Sequence, residues 1–106
     1  MKALIMGLAL ALLVAPAWAK EAKCFTSDDG EYPCVFEALD DAGSFKISAE
    51  GKPSFEVWME APGQAFVGAV YEPGGRSVAL PGIYNRSQED GACWVSDVTE
   101  TEICAW

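Results

Sequence analysis

A chain of 106 residues with 7 Lys and Arg, 16 Asp and Glu and no His carries a formal charge of −9. Without imidazole it has no Ser-His-Asp or Cys-His catalytic site, no His-ligated zinc and no His-ligated haem. So acidic a chain is also a poor match for nucleic acid, because phosphates are gripped by Lys and Arg.

Residues 1–19 read as a cleavable secretory leader. Lys2 gives the positive start, and Ala3 to Val14 is an apolar run too short to span a bilayer unaided. Ala17-Trp18-Ala19 then supplies the small-x-small pattern for a cut after Ala19. The cysteine needed for lipid attachment does not follow the cut directly. The remainder, 20–106, is one small domain. Loss of Lys2 leaves 6 basic residues against 16 acidic ones, a charge of −10. The expected location is the periplasm or the exterior of the cell, with no transmembrane segment after cleavage.

Cys24, Cys34, Cys93 and Cys104 all lie beyond the cut, and an even count in a short exported chain signifies disulfides. Spacing favours Cys24–Cys34 and Cys93–Cys104 over crossed pairing of the chain ends. With Cys24 opposite Cys34, Thr26 faces Tyr32 and the turn is Asp28-Asp29-Gly30, with Gly where a positive φ is wanted. With Cys93 opposite Cys104, Trp94 faces Ile103, Val95 faces Glu102, and the turn runs from Asp97 to Glu100. No C-x-x-C occurs, so the cysteines are expected to be structural.

Turn clusters punctuate the rest at the spacing of an all-β chain: Asp40-Asp41-Ala42-Gly43, Glu50-Gly51-Lys52-Pro53, Pro62-Gly63, Glu72-Pro73-Gly74-Gly75, Pro81-Gly82 and Glu89-Asp90-Gly91. Between them the side chains alternate. Phe45, Ile47 and Ala49 oppose Ser44, Lys46 and Ser48; Phe55, Val57 and Met59 oppose Ser54, Glu56, Trp58 and Glu60. Ala65 to Tyr71 is apolar on both faces, which predicts a central strand covered on both sides. Ser77 to Leu80, Ile83 to Arg86, Ala92 to Ser96 and Glu102 to Trp106 complete about eight short strands. The expected fold is all-β: a small antiparallel sandwich or barrel in meander order, stapled by two disulfides.

Trp58 is the unusual residue, a large aromatic on a polar strand face between Glu56 and Glu60. If the next strand pairs with it as a hairpin, Val67 and Tyr71 fall on the same side. An aromatic platform edged by carboxylates suits a sugar ring or a basic protein surface. The competing and preferred arrangement folds the disulfide hairpins over this side and buries Trp58 in a second layer. Neither Asp28-Asp29-Gly30-Glu31 nor Glu89-Asp90-Gly91 has the alternating ligands of an EF-hand loop. No metal, cofactor or catalytic residue is expected. The strands are too short for an outer-membrane barrel and Cys104 ties the chain end down, so Trp106 is expected to cap the core.

In size, leader, disulfides and β content the chain is similar in format to periplasmic lysozyme inhibitors, small β-barrel proteins that bind a basic enzyme. It carries none of their sequence motifs. The function expected is a non-enzymatic, inhibitor-like binding module of the envelope for a basic protein partner. The alternative is a glycan-binding domain that uses an exposed aromatic on a sheet face.

Overall fold

Nine strands follow one another in this computed structural model, which describes residues 19–106. They are β1 (Ala19–Thr26), β2 (Gly30–Ala38), β3 (Phe45–Ser48), β4 (Ser54–Ala61), β5 (Gln64–Val70), β6 (Ser77–Ala79), β7 (Tyr84–Arg86), β8 (Cys93–Ser96) and β9 (Glu102–Ala105). The expected leader lies outside the described residues except for Ala19, which opens β1 opposite Glu37. No helix occurs among the described residues.

Every pairing is antiparallel. β1 to β5 pair in chain order, β5 then takes β7 on its other edge, and β7, β8 and β9 lead back to β1. The alternatives of sandwich and barrel thus resolve to a closed eight-strand barrel with β6 as a ninth, added strand. β6 pairs with Gly68 to Val70 on the length of β5 that β7 leaves free. Closure leaves the eight barrel strands without an open edge, the usual hazard of short strands in water.

The period-two pattern sets the core. Phe45 and Ile47 from β3, Phe55 and Val57 from β4, and Ala65, Val67 and Ala69 from β5 all point inward. Tyr84, Trp94 and Ile103 fill the other side. The two disulfides are Cys24–Cys34 and Cys93–Cys104, as the spacing indicated.

The second disulfide hairpin has the expected register, Cys93 opposite Cys104 and Trp94 opposite Ile103. The first does not. Cys24 stands opposite Tyr32 and Cys34 opposite Ala22, so this disulfide runs diagonally between strands, with Cα atoms 5.9 Å apart. The turn is Ser27-Asp28-Asp29, and Gly30 at φ 72° takes the left-handed position after it. Thr26 Oγ1 accepts the Asp29 N–H at 3.1 Å, which tightens the turn one residue earlier than expected. A shift of two residues keeps every side chain on its face, and both cysteines remain buried.

Trp106 does not cap the core. Its main chain pairs with Lys23 on the outside of β1, and its Nε1 donates to Asp90 Oδ2 at 3.0 Å. Lys23 Nζ sits 5.3 Å from the ring centre. The indole is held at the surface by a carboxylate and a cation.

Candidate functional site

The barrel's outer face over β4 and β5 carries an exposed aromatic pair. Trp58 is opposite Phe66, and they are 42% and 48% exposed. The expected second layer over Trp58 is absent, because the disulfide hairpins are themselves barrel staves paired edge to edge with their neighbours. They cannot also lie across the face of β4.

The partner of Trp58 differs from the expected one for a local reason. The Pro62-Gly63 turn sets Ala61 opposite Gln64, and an unbroken ladder would continue to Trp58 opposite Val67. A bulge between Met59 and Ala61 adds one residue to β4, so Met59 meets Ala65 and Trp58 meets Phe66. One residue of slip exchanges the faces of a strand. Val67, expected beside Trp58, is instead 3% exposed inside the barrel, opposite Val57. The expectation that β5 is covered on both faces fails at Phe66, because β4, β6 and β7 pair with the edges of β5 and do not lie across its outer face there.

Glu56 borders the pair, whereas Glu60, exposed, is the extra residue of the bulge and has no partner on β5. Trp58 Nε1 lies 3.4 Å from Glu56 Oε1, a long hydrogen bond that directs this carboxylate along the indole edge. Lys46 is the strand partner of Glu56, yet no ion pair joins them. Gln64 shares the outer face with Phe66, and its Nε2 donates to Asn85 Oδ1 at 3.5 Å. Tyr71 is not part of this surface. It follows β5 and lies at one end of the barrel, 57% exposed.

Electrostatics across the molecule leave the carboxylates free. Lys20, Lys23, Lys52 and Arg86 each lie over an aromatic ring of the same chain, at 5.5, 5.3, 5.2 and 4.6 Å from the ring centres of Phe36, Trp106, Tyr32 and Trp94. The ion pairs among the described residues are Lys23–Glu31 and Lys52–Asp29, both 3.8 Å and solvated. Such pairs are weak, and no other acidic residue forms an ion pair among the described residues. Asp40 and Asp90 are held below the ordinary carboxylate range. In Asp40 the leading cause is the Ser44 N–H bond, and in Asp90 it is the Ala92 N–H bond, with Trp106 second.

Cys93, Glu102 and Cys104 bring potential metal ligands within 4.8 Å of one another, but both sulfurs are spent in the disulfide and offer no thiolate. Phe66 is the residue that sequence reasoning missed. Its signal was present in the apolar outer face of β5, but only the bulge shows which residues of that strand meet Trp58. No protein-family model matches the chain, and none of the curated proteins or solved structures compared with it does either.

Proposed function

We propose that the protein is an exported, non-enzymatic binding module that docks on a basic protein through the Trp58–Phe66 face. The observation that carries this reading is the opposed aromatic pair, nearly half exposed and bordered by Glu56. A Lys or Arg side chain can lay its stem or guanidinium on the two rings while its charge meets Glu56. The chain's own cations are largely engaged on its own rings, so its field attracts basic partners from solution. Two disulfides suit an oxidising compartment, and the leader pattern of 1–19 supports export.

Affinity capture tests the reading. The oxidised protein is immobilised and exposed to envelope extract at low and high salt, with Trp58→Ala in parallel. A basic protein retained at low salt, and released by salt or by the substitution, supports it. Retention that ignores salt and Trp58 overturns it.

A second reading rests on the Gln64–Asn85 amide pair, which shares the outer surface with Phe66. Planar amides beside an aromatic face suit a sugar ring. Here Trp fluorescence responds to peptidoglycan fragments or exopolysaccharide, and Trp58→Ala abolishes the response. A flat titration removes this reading.

A further inference from the structure

A second recess lies at the end of the barrel where Tyr71 stands. A cleft of about 120 Å³ opens there between the β1–β2 turn, the residues after β5, and the β8–β9 turn. Phe55 and Tyr84 form its inner wall, and Tyr84 is 1% exposed. Tyr71 stands at the entrance. Thr99 Oγ1 and Thr101 Oγ1, joined at 2.8 Å, line one side, and Asp28 and Asp29 stand at the rim.

Three features define what fits. Phe55, Tyr71 and Tyr84 line the walls, and aromatic rings attract positive charge. The rim carries two carboxylates, and no Lys or Arg among the described residues lines the cleft. Lys52, which also lies over the ring of Tyr32, pairs with Asp29 at 3.8 Å, so Asp28 is the rim carboxylate left for a ligand. The third feature is size. A cavity of about 150 Å³ holds one benzene ring, so this cleft admits a head group and no more. Burial pushes the Tyr84 phenol above its ordinary range, hydrogen bonds with Thr101 and Thr99 offset part of the rise, and Tyr71 and Asp28 add to it. The inner wall therefore keeps a neutral hydroxyl, which leaves the negative charge at the rim.

We infer that this cleft binds a small organic cation, a methylated ammonium or a guanidinium head group. The cation sits against Tyr71, Tyr84 and Phe55 and is balanced by Asp28 at the rim. The site is separate from the Trp58–Phe66 face and does not depend on its function. Such a head group can belong to a free or lipid-borne methylated amine or to an arginine side chain, and the two sources separate by affinity.

The test is an NMR titration of the oxidised protein at constant ionic strength. The probes are tetramethylammonium, N-acetyl-arginine amide and the uncharged tert-butyl isostere of choline. The expected result is saturable shifts confined to Tyr71, Tyr84, Thr99, Thr101 and their neighbours, with either cation binding at least about fivefold more tightly than the isostere. Tyr71→Ala and Asp28→Asn each weaken binding roughly fivefold, and both side chains are exposed enough for the fold to persist. Trp58→Ala leaves the titration unchanged, which keeps this site distinct from the docking face. Tighter binding of the arginine derivative assigns the head group to a protein side chain; tighter binding of tetramethylammonium assigns it to a methylated amine. Equal binding of the isostere, shifts scattered over the acidic surface, or no saturable shift from either cation overturns the inference.

Discussion

Trp58 stands directly opposite Phe66 on the outside of the barrel, and neither ring is covered by another part of the described chain. A cross-strand aromatic pair contributes about 0.2–1 kcal/mol to a sheet when its faces remain wet. Trp58→Ala is therefore expected to lower stability by no more than about 1 kcal/mol, read as a small change in the denaturant midpoint. The same substitution is expected to abolish capture of a basic partner. A loss of several kcal/mol would mean that Trp58 serves the fold, and the docking surface would have to be sought elsewhere.

The strands, both disulfides and, β6 apart, the meander order were legible because turn clusters and a period of two are local signals. Ile47, Val57 and Ile103 sit inward as the alternation demanded. What escaped was register. At Gly30 the turn closes one residue early, a shift of two that preserves faces and merely turns Cys24–Cys34 diagonal. At Glu60 the bulge is a shift of one, and it exchanges Val67 for Phe66 beside Trp58. No residue type marks that position as a bulge, since Met59, Glu60 and Ala61 would all suit a regular strand. Trp106 was misplaced for a different reason: its partners, Lys23 and Asp90, are distant in sequence and meet only when β9 pairs with β1.

The two disulfides close loops of similar length, with sequence separations of 10 and 11. On chain entropy each stabilises the fold by about 2.5–3 kcal/mol. Replacing either pair by Ala is expected to cost close to that amount in chemical denaturation. A domain this small has roughly 5–10 kcal/mol in total, so the doubly reduced chain is expected to unfold near physiological temperature. Full native near-UV circular dichroism after reduction would contradict this.

Ser96 ties together the turn that walls the cleft. Its Oγ donates to the Pro81 carbonyl at 3.0 Å and accepts the N–H groups of Val98 and Thr99, both at 3.1 Å. Ser96→Ala removes all three part-buried hydrogen bonds at once and is expected to cost about 1–3 kcal/mol. Gly82 packs against the same group. It has φ 89°, and an added Cβ would approach Ser96 Oγ to 2.8 Å and Asp97 Oδ1 to 2.7 Å. Gly82→Ala is expected to destabilise the fold by a comparable amount, measured by the same denaturant midpoint.

Acid should weaken the fold through Asp40 and Asp90. Each carboxylate accepts main-chain N–H groups at turns, Asp40 from Ala42 and Ser44, Asp90 from Ala92. These bonds favour the charged form and hold both groups below their ordinary value of 3.8. The unfolded chain therefore takes up the protons first as pH falls. The stabilisation is complete above the ordinary value and is lost as pH drops through the lowered one. A denaturant midpoint that declines from about pH 5 downward is expected, and the Asp40→Asn, Asp90→Asn double variant is expected to decline less. Identical pH profiles for variant and parent would exclude these two groups as the source.

Tyr32 offers the opposite case, a polar atom whose removal should help. Its hydroxyl is buried and has no hydrogen-bond partner among the described residues, while its ring lies under Lys52 Nζ at 5.2 Å. Burial raises this phenol above its ordinary range and the Asp29 carboxylate adds to the rise. Tyr32→Phe keeps the ring and its cation contact and deletes only the unpaired group. Stability is expected to stay level or to rise by about 1 kcal/mol, since an unsatisfied buried hydroxyl costs about 1–3 kcal/mol of desolvation. Tyr84→Phe is the matched control. Its hydroxyl is not orphaned among the described residues, and the Thr101 and Thr99 side chains favour it, so the same deletion is expected to cost about 1 kcal/mol. Two substitutions of identical chemistry thus move the denaturant midpoint in opposite directions. A Tyr32→Phe variant that loses as much as Tyr84→Phe would mean that the Tyr32 hydroxyl has a partner in solution.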